Sequence, residues 1–99
     1  MESFILKPID EKPVPYTKTT RVQYTVTLKG IRLIPVWSSE KESYQQIIDV
    51  MALNYNMKDF KKMVKTTYTT IQYEGHYINS SVDHNITKDV KKYIKEKEY

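Results

Sequence analysis

The side chains able to do chemistry are few and lie close together. His76, His84, Asp83 and Glu74 place two imidazoles and two carboxylates within eleven residues, a set that elsewhere binds divalent metals or passes protons. Their spacing supports neither use. No HxxxH or HExxH pair occurs, no glycine-rich phosphate loop accompanies them, and Ser80-Ser81 has no nucleophile elbow around it. Cysteine is absent, which removes thiol catalysis, disulfides, zinc ribbons and iron-sulfur ligation together. The expectation is a chain that is not an enzyme, with no catalytic residue, metal, cofactor or small-molecule ligand.

Charge is the second chemical resource. The chain carries sixteen Lys plus Arg against twelve Asp plus Glu, a formal +4, and the excess is C-terminal: net +1 up to Asn56 and +3 beyond it. Two segments, MKDFKKMVK at 57–65 and TKDVKKYIK at 87–95, share one pattern of Lys and apolar residues. Lys58, Lys61, Lys62 and Lys65, and again Lys88, Lys91, Lys92 and Lys95, fall at i, i+3, i+4 and i+7, so on helices each set forms a basic stripe beside an apolar one. Such stripes suit phosphate, or are simply solvated faces. Only Arg21 and Arg32 are arginines, so nucleic-acid contact would be made to phosphate rather than to base edges.

Aromatic residues are the third. Tyr68, Tyr73 and Tyr77 sit among Thr and Asn in one segment; Tyr supplies contact area with a polar tip, and is also a good strand former. Tyr68 and Tyr77 are expected to face away from the core and to contact a protein partner. Tyr73, with Ile71 and Ile78, is expected to face inward.

The elements that must hold these groups can be read from periodicity. Val22, Tyr24, Val26 and Leu28 alternate with Arg21, Gln23, Thr25 and Thr27, the pattern of a half-buried strand. Lys29-Gly30 turns it into IRLIPVW, pairing Leu28 with Ile31 and Val26 with Leu33, and Pro35 marks an edge or a bulge. Ser39 with Glu42 fits a capping box, and the spacing of Tyr44, Ile47, Ile48, Met51 and Tyr55 predicts a helix over 40–54. Met57, Phe60 and Val64 predict a second, shorter helix to Lys65. A second hairpin turns at Glu74-Gly75, with Ile71 opposite Ile78 and Tyr73 opposite His76. Ile86, Val90, Tyr93 and Ile94 predict a last helix, with Asp83 or Asn85 as cap.

The sequence therefore predicts an α+β domain of order ββααββα over residues 20–99. Its two hairpins contribute to one mostly antiparallel sheet with the main helix on one face, behind a Pro-rich arm at 1–19. The order helix, break, helix, hairpin also fits a winged helix-turn-helix with 57–65 as reader and 67–82 as wing. Ninety-nine residues make one domain, and with 39% hydrophobic residues it can build a core. No apolar run approaches the about 20 residues that span a bilayer, and acidic Glu2 does not suit a signal peptide. An intracellular protein is expected.

Two resemblances add to this reading. The hairpin, helix, hairpin order over residues 20–86, with TTIQYEGHYINSSVDHNI in the place of the third-strand region, resembles the ubiquitin-like β-grasp fold; it implies buried Ile71, Tyr73 and Ile78 and a final strand at 87–95. The chain ends in KEKEY and not in a diglycine, so conjugation is not implied. In length, Lys, Tyr and Ile content and absence of Cys, the whole chain is similar to the small orphan proteins of filamentous viruses infecting hyperthermophilic archaea. That resemblance implies a viral origin, a role in the host or the virion, residence in the host cytoplasm and high thermal stability; proteins of AT-rich phages or plasmids are similar in the same respects. The function expected is non-catalytic binding through protein contact, to a partner or to itself as a homodimer. The alternative is phosphate-led nucleic-acid binding through the lysine stripes.

Overall fold

The computed structural model describes residues 15–99; the expected arm up to residue 14, with Phe4-Ile5-Leu6, lies outside the described residues. Strands β1 (Thr17–Leu28) and β2 (Ile31–Ser38) are followed by helix α1 (Tyr44–Met51), a 3-10 turn (Met57–Asp59), strands β3 (Phe60–Tyr73) and β4 (His76–Asn85), and helix α2 (Thr87–Lys97). The strands form one antiparallel sheet of order β2-β1-β3-β4. The chain is α+β with two hairpins in one sheet, as the sequence predicts. The strand that the β-grasp resemblance requires at 87–95 is replaced by α2. Residues 17–19, assigned above to the arm, already belong to β1 and pair with Gln72, Ile71 and Thr70.

Both turns fall at the two glycines. Glu74 and Gly75 take φ of 47° and 79°, the double positive-φ geometry of a type I′ turn whose twist matches the flanking strands. The β3/β4 register is the one predicted, Ile71 with Ile78 and Tyr73 with His76. In the first hairpin Leu28 pairs with Ile31 as predicted, but Val26 pairs with Ile34 rather than Leu33 because the register shifts between Val26 and Leu28. An extra residue at that point is a bulge.

The largest correction concerns residues 57–65. Only Met57–Asp59 are helical, started by Asn56, whose side chain accepts from the Lys58 amide; from Phe60 onward the chain is the long central strand β3. The β-branched run Val64, Thr66, Thr67, Thr69, Thr70, Ile71 continues the strand without a break, and β1 supplies partners from Lys62 to Gln72 and, past a register shift, at Phe60. A full ladder outweighs the weak helical preference of Lys-rich sequence. No reader helix exists in this segment, and the winged helix-turn-helix order is not formed.

Helix α1 is also shorter than 40–54. Its N-cap is Ser43, which exchanges bonds with Gln46 in a capping box, so the motif sits four residues later than the Ser39/Glu42 pair. Two bonds keep that pair out of the helix: Ser38 Oγ donates to Glu42 Oε1 (2.9 Å) and Tyr24 Oη donates to the Glu42 carbonyl (3.1 Å). Burial first, and the Glu42 charge second, push the Tyr24 phenol above its ordinary pKa. Neither Asp83 nor Asn85 is the N-cap of α2: Ile86 holds that position without a side-chain cap bond, and Asn85, one residue earlier, accepts from the Thr87 amide through its Oδ1 at 3.0 Å.

The core fills one face of one end of the sheet. Val22, Tyr24, Val26 and Leu28 of β1 join Phe60 and Met63 of β3 beneath Ile47, Ile48 and Met51 of α1 and Val90 and Ile94 of α2. Asp49 ties the helices together, its Oδ1 accepting from Tyr93 (2.7 Å) and from Tyr99. Those two bonds hold the Asp49 carboxyl below its usual range, and the same contact pushes the Tyr93 phenol up to about 12.

Candidate binding surfaces

The helices cover only part of the sheet. Past Val22 on β1 and Thr66 on β3 no residue is buried, and all ten residues of β4 are exposed. Residues 17–21, 67–73 and 76–82 therefore project as a three-stranded blade that neither α1 nor α2 covers. Cross-strand partners share a face, so Ile71, Tyr73, Ile78 and Val82 continue the face that carries the core, but lie beyond the helices. Ile78 is 59% and Val82 68% exposed. The expectation that Ile71, Tyr73 and Ile78 are core residues is thus corrected: they point to the core side of the sheet, where no helix among the described residues buries them.

Tyr68 and Tyr77 lie on the opposite face, as expected, with Tyr77 62% exposed. The pairings Arg21 with Tyr68 and Gln23 with Trp37 assemble a cluster there that sequence reasoning missed. The Arg21 guanidinium carbon stands 4.3 Å over the Trp37 ring, and Tyr68 lies 5.5 Å from the same ring. With Thr70 and Asn79, bonded to each other at 2.8 Å, they border a shallow groove of about 360 Å³. The outward side of the β1 alternation includes Arg21, but only the register between three strands shows that Trp37 and Tyr68 join it.

Six of the eight candidate lysines gather along α2 although the 57–65 stripe is not helical. Lys58 from the 3-10 turn meets Lys91 and Lys95 in a cleft of about 530 Å³ lined also by Met57, Phe60, Ile94, Glu98 and Tyr99. Lys61 and Lys62, at the start of β3, meet Lys88 around a cleft of about 620 Å³ with Asn85, Thr87 and Asp89. Lys65 is separate, on the core side of β3 with its Nζ 5.9 Å from the Tyr24 ring, and Lys92 borders neither cleft. The two sequence repeats therefore end beside one another, one as a turn and strand and the other as a helix.

The imidazoles and carboxylates do not converge. His76 and His84 stand at opposite ends of β4, eight positions and so about 27 Å apart. Asp83 accepts from the Thr66 hydroxyl at 2.8 Å, His84 pairs with Lys65, and Glu74 is in the turn. Among the described residues no three His, Asp or Glu side chains gather as a metal site. No helix among them is long and apolar enough to cross a membrane. Comparison with protein-family models, with curated proteins and with solved structures finds no match to this chain.

Proposed function

We propose that the chain is a non-catalytic binding protein that acts through protein contact, and that its contact surface is the open blade. The observation that carries this is β4: ten residues, every one exposed, on the edge of the sheet, with Tyr77, Ile78 and Val82 each more than half open. Natural edges of that length are normally blunted with lysine, proline or a bulge, and β2 at the other edge has Pro35 and the register shift. β4 has none of these and keeps an unbroken register with β3. An extended segment that adds to such an edge gains main-chain bonds along its length and side-chain contacts at alternate positions.

The test is a photo-crosslinking residue at Tyr77, with Leu53, 81% exposed in the turn after α1, as the comparison position. Protein adducts at Tyr77 and not at Leu53, in the cells that make the protein, are the expected result. Equal adducts at both, or none at Tyr77, would remove the reading.

A second reading rests on the lysine clefts. Lys58, Lys91 and Lys95 on one side and Lys61, Lys62 and Lys88 on the other form a basic band along α2, which suits the phosphates of a nucleic-acid backbone. Steep loss of binding with salt identifies it, since an apolar-centred protein contact responds much less.

A further inference from the structure

We infer that the blade's partner is a second copy of this chain, paired antiparallel through β4 about Ser80 to give a continuous eight-stranded sheet. The inference rests on the reading of the blade as a contact surface and names its occupant.

The backbone sets the first condition. Tyr73 and His76 flank a two-residue turn and are the pair that exchanges both bonds there, so the even-numbered residues of β4 direct their N–H and C=O groups to β3. The bond from the Ile86 amide to the Met63 carbonyl, 3.0 Å, continues that parity. Tyr77, Asn79, Ser81 and Asp83 consequently direct theirs outward, to where a fifth strand would lie.

Side chains set the register. Two copies related by a two-fold axis through the sheet keep their faces aligned only when directly opposed residues have the same parity. Centring on Ser80 places Ile78 of each copy across from Val82 of the other, on the core side of the sheet. Within one copy Ile78 already pairs with Ile71, and Val82 with Thr67, which in turn pairs with buried Val22. The dimer thus forms a row from Ile71 and Ile78 of one chain through Val82 and Thr67 to Val22 of the other, and covers the two most exposed aliphatic side chains of the blade.

Charge selects β4 over the blade's other edge. On a chain of net +4, β4 contains no Lys or Arg and one carboxylate, Asp83, which in this register lies across from Tyr77. The β1 edge of the blade carries Lys18 and Arg21, so two copies meeting there would oppose cations. Ten strand residues are fewer than the about 20–30 a side of a standard interface, so the dimer is weak and reversible.

The chain lacks cysteine, so the register can be tested by crosslinking. At a non-hydrogen-bonded pair the two Ser80 Cα atoms stand about 4.5 Å apart, within disulfide range. Ser80→Cys is expected to form a disulfide-linked dimer under mild oxidation. Tyr77→Cys is not, because each Tyr77 opposes Asp83 and lies about 20 Å from its twin. Sedimentation of the unmodified protein is expected to show a concentration-dependent monomer and dimer, and Val82→Glu, with an unchanged circular dichroism spectrum, to remain monomeric. Equal crosslinking of the two cysteine variants, or a native protein that is monomeric at every concentration, would overturn the inference. In the second case, Tyr77 adducts to another protein would leave the proposed function standing.

Discussion

Replacing Lys58, Lys91 and Lys95 by Gln removes the lysine charge from one cleft and leaves the Glu98 carboxylate, without touching the core, since all three side chains are exposed. If each of the six cleft lysines neutralises one phosphate of duplex DNA, log affinity falls with log salt at a slope of about −5.4, or about 1,800-fold between 50 and 200 mM. The triple variant keeps three lysines, so its slope is expected to be about −2.7 and its loss over the same range about 40-fold. Fluorescence anisotropy of a labelled mixed-sequence duplex, titrated at several salt concentrations, reads both slopes. Lys65→Gln with Lys92→Gln serves as the comparison, because neither residue borders a cleft. A native slope near zero, or the same slope in native protein and triple variant, would refute the basic band and leave the lysines as solvated groups.

Further outcomes concern stability. Met63, fully buried where β3 meets β1 and α2, is expected to lose about 2–5 kcal/mol on Met63→Ala, seen as a lower urea midpoint. Asn85→Ala, which removes the bond to the Thr87 amide, is expected to cost about 0.5–1.5 kcal/mol by the same measurement. Asp49 has a depressed pKa in the folded protein, so its contribution is present above the ordinary carboxylate pKa and is lost as pH falls through the depressed value. Tyr93→Phe and Tyr99→Phe should each narrow the gap between urea midpoints at pH 7 and pH 3; an unchanged gap would remove Asp49 as its source. If the compositional resemblance to proteins of hyperthermophile viruses reflects a shared working temperature, the thermal midpoint exceeds about 65 °C, the upper end for mesophile domains.

What could be read from the sequence depended on whether local pattern and long-range pairing agreed. They agree in β1, where alternation alone identified Val22, Tyr24, Val26 and Leu28 as core, and at Glu74-Gly75, where the turn chemistry set the register of a whole hairpin. They conflict in the two lysine-rich repeats, which share a pattern yet fold differently. Residues 87–95 start where the Asn85 side chain accepts from the Thr87 amide and run into further helix formers, whereas 57–65 run into a β-branched stretch that β1 is placed to pair. Periodicity within nine residues cannot register a partner strand forty positions away. The Arg21, Trp37 and Tyr68 cluster was hidden for the same reason, since its members come from three strands. Ile78 shows the converse: its face was correctly read, but face and burial are different properties where a sheet outruns its helices.

Because β3 runs through both the helix-covered end and the blade, one strand has two thermodynamic characters. Amides from Phe60 to Thr66 lie at the end of the strand that holds the buried Phe60, Met63 and Thr66 and are expected to exchange with solvent chiefly when the whole domain unfolds, while those from Thr67 to Tyr73 are expected to need only a local opening of the blade. The boundary falls at the Thr66 hydroxyl bonded to Asp83. Sequence change in the blade is therefore expected to weigh less on whether the domain folds than change at the helix-covered end.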